Sequence, residues 1–142
     1  KDASTEHGVP IVGTTLTGPS DVFLKEGVKD AADQQFVDVP NNVSRRLYAL
    51  RIADSRGAPA YQAGDLIIAD PDVRPITGET HLVKLRRDDN FIAVMTLITV
   101  MDDGFVFNSL TELHNRVVFP HAEIEYLHPV VAVAKAWTVK KI

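Results

Sequence analysis

The chain has no cysteine among its 142 residues. This absence excludes disulfides, thiolate metal sites and a cysteine nucleophile, and it is typical of proteins kept in a reducing cytoplasm. No apolar run approaches the roughly 18 residues that a transmembrane helix requires. The formal net charge is −4, so the chain lacks the basic character of a nucleic-acid-binding surface. We therefore expect a cytoplasmic domain that has no membrane partner and does not itself contact DNA.

Helical signals are also scarce. Segment 26–35 and the Pro59–Ala63 segment are the only candidates for short helical turns, and Gly27 weakens the first of them. The length suits one domain. We expect a linker remnant at residues 1–8, a single domain at 9–138 and a tail at 139–142, with a further segment preceding a chain that does not begin with Met.

In several segments of the sequence, apolar residues recur at every second position, a pattern that predicts β-strands. Residues 47–53 alternate, and Leu66–Ala69 is a short apolar run that predicts a buried strand. Segments 81–85 and 91–100 flank a polar turn and predict a hairpin, and Asp102-Asp103-Gly104 predicts a second one. About seven to nine strands in all predict a mostly-β domain, a sandwich or a partly open barrel.

Ser55 is the first candidate for chemistry, because it follows an alternating strand directly. A serine at a strand end can serve as a nucleophile, since the rigid backbone there exposes its hydroxyl. A serine in an Asp-Ser turn more often caps backbone amides. The sequence around Asp54-Ser55 permits both interpretations.

A serine hydroxyl needs a base to act as a nucleophile at neutral pH. A histidine in a spatially assembled triad stays open, although no histidine has a fixed sequence relation to Ser55. Lys84 on the first hairpin strand is a weak alternative base, because a desolvated lysine can be neutral. By alternation, however, Lys84 is also an ordinary outward-facing strand residue. The five histidines are His7, His81, His114, His121 and His128.

The sequence predicts neither a metal nor a cofactor. No two histidines have the i, i+4 spacing of a helical metal site, and Asp70-Pro71-Asp72 is typical of a polar turn. No glycine-rich loop of the kind that binds phosphates is found in the chain.

Five segments occur in an order that resembles one known family. Residues 9–13 with 16–18 come first, and Tyr48–Ser55 follows; Gly64-Asp65 with Asp70, the 81–97 hairpin and the closing 129–137 strand complete the set. Together they span residues 8–138 and resemble the LexA-like self-cleaving serine peptidases, which include LexA, UmuD and the C-terminal domains of phage CI-type repressors. The resemblance implies a LexA/signal-peptidase-like β-sandwich or partly open barrel with one or two short helical turns.

The resemblance also implies a site. Family members use a serine–lysine dyad to cut their own linker before a glycine, which here corresponds to Ser55 and to the Thr17–Gly18 pair. The position of the dyad lysine is occupied by Met95, in the segment Val94-Met95-Thr96-Leu97. A thioether accepts a proton too weakly to serve as a base. Ser55 is then a remnant nucleophile, and Met95 is either natural or a substitution that traps the uncut form.

The function implied by the resemblance is that of a C-terminal oligomerisation domain of a phage-type or LexA-like transcriptional repressor. Its partner would be a second copy of itself, and DNA would be reached only through an upstream helix-turn-helix domain. With cleavage lost, induction would require an inducer such as an antirepressor protein. Two alternatives stay open: an active self-cleaving peptidase that cuts near Thr17–Gly18, and a generic β-rich interaction module.

Overall fold

The computed structural model describes residues 8–19, 24, 35–39, 46–54, 61–87, 91–109 and 115–141. Within these ranges the regular structure is dominated by ten strands, which confirms the mostly-β prediction. Two 3-10 turns lie before and after the longest strand. The strands are β1 (Gly8–Thr14), β2 (Gln35–Asp38), β3 (Tyr48–Arg51), β4 (Leu66–Ala69), β5 (Thr80–Leu85), β6 (Ile92–Met101), β7 (Gly104–Ser109), β8 (Arg116–Pro120), β9 (Ile124–Ala134) and β10 (Lys140–Lys141), and the turns are His121–Glu123 and Ala136–Thr138.

The strands form one mixed sheet in the order β10-β2-β1-β3-β4-β9-β5-β6-β7-β8. β1 runs parallel to β3, and the other described pairs are antiparallel. Over the described residues the sheet is not closed into a barrel. The long strand β9 joins the two halves, because its first part pairs with β5 and its second part pairs with β4.

Both faces of the central strand β4 are covered, so all four of its apolar residues are buried. This burial explains why Leu66–Ala69 is a continuous apolar run rather than an alternating one. One apolar cluster fills the β5–β8 half around Phe107, and another fills the β1–β4 half around Ile68. A third cluster spans both halves and includes Tyr48, Leu82 and Ile92.

The two predicted hairpins are confirmed. β5 pairs with β6 from Thr80 opposite Thr96 to Lys84 opposite Ile92. β6 pairs with β7 across the Asp102–Gly104 turn, with a bulge between Leu97 and Thr99. Alternation predicts such pairs well, because a register slip by one residue would expose the apolar face.

The structure differs from the predicted boundaries at both ends. Gly8, which we assigned to the linker, begins β1. Lys140 lies in the predicted tail, yet it belongs to β10 and pairs with Phe36 of β2. The chain is redirected after β9 by Asp65, which accepts hydrogen bonds from the Ala136 amide at 3.0 Å and the Lys135 ammonium at 3.1 Å. Residues 26–34 of the first predicted helical segment lie outside the described residues, and Gln35 begins β2. Pro59 and Ala60 of the second also lie outside them, and residues 61–63 form no helical turn.

Among the residues that the structure describes, no helix has the length and apolar character needed to cross a membrane.

Candidate functional site

A glycine turn fixes the end of the strand that leads to Ser55. The Ile52 amide donates to the carbonyl of Asp65 at 2.7 Å, and the Gly64 amide donates to the carbonyl of Ile52 at 2.8 Å. Gly64 has φ +92, a conformation that favours glycine. The Gly64-Asp65 signature therefore holds Ile52 in place, whereas Ser55 itself lies outside the described residues.

Met95 lies in an apolar environment. Its side chain is 8% exposed and belongs to the cluster that includes Val83, Leu97 and Phe107. We call this side of β5 and β6 the Met95 face. The position is therefore buried, but two polar residues are its direct partners in the sheet register, His81 on β5 and Ser109 on β7.

The Thr17–Gly18 pair lies against the opposite side of β6. Gly18 is buried with φ +66. A Cβ at this position would come within 2.6 Å of the Ile92 Cδ1 atom and 3.2 Å of the Tyr126 hydroxyl oxygen. Ile92 and Met95 are three residues apart on a regular stretch of β6, so their side chains point to opposite faces. The structure does not bring Met95 and Gly18 together.

The loop that carries this pair is a closed turn. The amides of Thr17 and Gly18 both donate to the carbonyl of Thr14, at 3.2 and 2.8 Å. The Thr17 hydroxyl in turn accepts from the Thr14 amide at 3.1 Å. The peptide between Thr17 and Gly18 is therefore held in a turn by bonds within the loop itself.

Lys84, the weak alternative base, is on the same side as Gly18. In the sheet register Lys84 lies between Ile92 and Tyr126, the two residues that contact Gly18. Its ammonium forms an ion pair with Glu125 at 3.5 Å, and its side chain is only 17% exposed. The prediction that Lys84 faces outward is therefore met only in part. We call this side, with Lys84, Ile92, Tyr126 and His128, the Lys84 face.

The sequence interpretation missed a buried polar group on the Lys84 face. The Tyr48 hydroxyl and the His128 Nδ1 atom are 2.6 Å apart, and the Tyr126 ring stacks on the His128 ring with centroids 4.3 Å apart. Tyr126 and His128 stand at i, i+2 in a strand, so alternation could have paired them. Nothing in the sequence relates Tyr48 to a residue 80 positions away.

Burial controls the ionisation of this group. Desolvation, with a smaller effect of the Arg46 charge, lowers the pKa of His128 to about 4. Desolvation, aided by Tyr126, raises the pKa of Tyr48 above its ordinary value. Both side chains are therefore neutral at pH 7. The Nδ1 atom of His128 is occupied by Tyr48, which fits a structural role better than that of a base.

His81 is also structural. It is completely buried, and its Nδ1 atom lies 2.8 Å from the carbonyl oxygen of Glu79, to which it donates. Its Nε2 atom accepts from the Ile76 amide at 3.1 Å. Desolvation lowers the pKa of His81. With both ring nitrogens bonded within the loop before β5, His81 has no nitrogen left to serve a nucleophile.

Within the described ranges, no group of three or more histidine, aspartate or glutamate side chains is placed to hold a metal ion. No known family model matches this chain, and no curated protein matches it.

Proposed function

We propose that this chain is the C-terminal oligomerisation domain of a phage-type or LexA-like transcriptional repressor and that it does not cut itself. In this proposal the domain works in the cytoplasm and joins two copies of the chain. An upstream helix-turn-helix domain binds the operator, and two such domains held at half-site spacing gain affinity through effective concentration. An antirepressor protein is the inducer that this proposal favours.

The observation that carries the proposal is an exposed apolar segment in the second part of β9. Val131 and Val133 are 47% and 48% exposed, and Trp137 in the following turn is 84% exposed. From Val131 to Ala134 one edge of β9 pairs with β4, and no described strand pairs with its other edge.

An unpaired, apolar strand edge is a template for pairing with another chain. The segment 131–134 carries no charge, proline or glycine, which are the devices that usually block such pairing. Two copies related by a two-fold axis would place the same segment on both sides of the interface. A second copy of this chain is therefore the occupant that we propose.

Met95 supports the proposal that the chain does not cut itself. The position that would hold a dyad lysine is filled by an uncharged side chain within an apolar cluster. An intact linker is what a repressor needs if induction comes from a partner protein rather than from self-cleavage.

Sedimentation equilibrium of Val133→Lys tests the β9 interface. We expect dimers of the wild-type domain at low micromolar concentration and monomers of the variant, because a lysine at the centre of the contact must lose its hydration. Val100→Lys is the matched control, since Val100 is 49% exposed on β6, outside this segment. A wild-type domain that stays monomeric at high micromolar concentration would contradict the proposal.

The position of Lys84 favours a second candidate function, self-cleavage at Thr17–Gly18. Lys84 is in the row of residues against which Gly18 packs. A neutral Lys84 would accept the proton of Ser55 as its oxygen attacks the Thr17 carbonyl. The Gly18 amine would then leave with that proton, and water would release the acyl group from Ser55.

Intact-mass measurement after incubation at pH 10, where a lysine is partly neutral, separates the two functions. Self-cleavage predicts a new N-terminus at Gly18 that disappears in Ser55→Ala and in Lys84→Met. An uncut wild-type chain removes this second candidate and leaves the oligomerisation domain.

A further inference from the structure

A buried histidine holds an exposed loop. The loop of residues 71–79 joins β4 to β5, and every residue from 72 to 79 is exposed, including the apolar Val73 and Ile76. His81, near the start of β5, is completely buried. Its Nε2 atom accepts a hydrogen bond from the Ile76 amide at 3.1 Å. A side chain of the core thus fixes the middle of a loop that lies at the surface.

The groups bonded to His81 fix its protonation state. The Nδ1 atom lies 2.8 Å from the Glu79 carbonyl oxygen, which can only accept, so Nδ1 carries a hydrogen. The Ile76 amide can only donate, so Nε2 must offer a lone pair. The neutral ring with its hydrogen on Nδ1 satisfies both bonds. A second proton would place an N–H group on Nε2, directed against the N–H group of Ile76.

The same histidine is next to Met95 in the sheet. His81 and Met95 are direct partners in the register of β5 and β6. The end of the loop is bonded to β6 two residues further on, where the Gly78 amide donates to the Leu97 carbonyl at 2.8 Å. The Leu97 amide in turn donates to the Glu79 carbonyl at 3.0 Å. A change in the His81 ring therefore affects the loop and the surroundings of Met95 together.

We propose that His81 is a pH-sensitive lock on the 71–79 loop: the neutral ring holds the loop in place, and protonation of Nε2 releases it. In the released form both ring nitrogens can donate to water, so acid favours release. Burial lowers the pKa of His81 while the loop is held. The loop therefore stays held at neutral pH, and its release becomes easier as pH falls below the ordinary histidine value of 6.5.

The neighbours of His81 set the strength of this response. The Glu79 charge in the loop favours the protonated ring, but its effect is smaller than that of desolvation. His128 on β9 has a pKa of about 4, so it stays neutral in the folded domain while His81 responds. Met95 on β6 and Pro129 on β9, the direct partners of His81, carry no charge. The other charged side chains of the loop are Asp72, which pairs with Arg46 at 2.8 Å, and the exposed Arg74.

NMR spectroscopy of the wild-type chain tests the lock without any substitution. At pH 7 the nitrogen chemical shifts of His81 should show the tautomer with hydrogen on Nδ1. The hydrogen-exchange protection factor of the Ile76 amide should fall by up to about tenfold per pH unit between pH 6.5 and 5. It should also be lower than that of Ile68 in the central strand β4, because the loop opens without global unfolding.

His81→Gln is the matched variant. A glutamine can accept from the Ile76 amide and donate to the Glu79 carbonyl, but it does not titrate. We expect this variant to protect Ile76 with no change between pH 6.5 and 5. In the wild type, the methyl signal of Met95 should shift with the same midpoint as the His81 ring.

Three results would overturn the lock. They are a hydrogen on Nε2 of His81 at pH 7, a pH-independent protection factor for Ile76 in the wild type, and equal protection of Ile76 and Ile68. If His81→Gln does not fold, the tautomer and the pH profile of the wild-type chain decide the question.

Discussion

The two faces of β5 and β6 carry different chemistry, although alternate residues of the same strands form them. The Met95 face is packed mainly with apolar side chains such as Val83, Leu97 and Phe107, and the buried His81 lies on it opposite Met95. The Lys84 face includes a lysine, a histidine and two tyrosines, and the Thr17–Gly18 turn packs against it. A residue moved by one position along β6 would therefore exchange one environment for the other.

This difference explains why the identity of one residue matters so much. A methionine suits the Met95 face because its side chain packs into an apolar cluster, and because burial lowers the pKa of His81 opposite it, which favours the neutral ring. A lysine suits the other face because Glu125 and partial exposure stabilise its charge. The exchange of methionine and lysine between these faces tests the comparison directly.

Met95→Lys is expected to have the largest effect. An unpaired ammonium in the apolar cluster should lower the free energy of unfolding at pH 7 by about 4 kcal/mol. Because burial favours the neutral amine, the loss should shrink as pH rises toward the ordinary lysine pKa of about 10.4. Urea titrations at pH 7 and pH 10 measure this.

Met95→Leu is the control, and it should lower the free energy of unfolding by less than about 1.5 kcal/mol. Family-like dyad geometry makes a further prediction for Met95→Lys, namely slow cleavage near Thr17–Gly18. An uncut Met95→Lys chain would agree with the placement of Gly18 on the opposite face. A Met95→Lys protein as stable as the wild type would contradict the described burial.

Lowering the pH is expected to have the second-largest effect, because it destabilises the folded domain through His128 on the Lys84 face. His128 is neutral when folded, with its pKa lowered from 6.5 to about 4. The neutral His128 therefore contributes fully to the free energy of unfolding above pH 6.5. This contribution is lost as pH falls toward 4, because His128 of the unfolded chain binds the proton first. At about 1.4 kcal/mol per pH unit, the loss approaches about 3 kcal/mol.

His128→Gln removes the group that titrates. The difference in the free energy of unfolding between wild type and variant should therefore decrease steadily as pH falls from 7 to 4.5. His121→Gln on the exposed 3-10 turn is the comparison variant. A gap for His128→Gln that does not change with pH would show that the Tyr48–His128 contact is not linked to protonation.

Lys84→Met is expected to have the smallest effect. The ion pair with Glu125 is partly exposed, and such pairs contribute less than about 1 kcal/mol. Thermal unfolding of Lys84→Met, Glu125→Gln and the double variant measures the coupling between the two residues. A coupling above about 2 kcal/mol would indicate that Lys84 is held far more tightly than a surface pair.

Much of the fold was predictable from local pattern. The alternation in residues 91–100 and the Asp102–Gly104 turn predicted both hairpins, because side-chain period and turn chemistry are local properties. The last strand β10 was missed, since two lysines carry no strand pattern. It forms because Asp65 turns the chain after β9 back toward β2.

The candidate site was less predictable. Lys84 looks like a surface residue in the sequence, and only the β5–β6–β9 register places it between Ile92 and Tyr126. The Tyr48–His128 contact joins residues from two distant strands. Such contacts depend on strand order, which the pattern within each strand does not encode.

The sequence by itself determined the strands, their alternation and the presence of methionine where the resembling family has lysine. It also excluded cysteine chemistry. Only the tertiary structure decided that Met95 and Gly18 lie on opposite faces of β6, and that β8 and part of β9 each have an edge that no other described strand pairs with. The physical reason is that a period of two separates the two sides of a strand, whereas long-range pairing decides what covers each side.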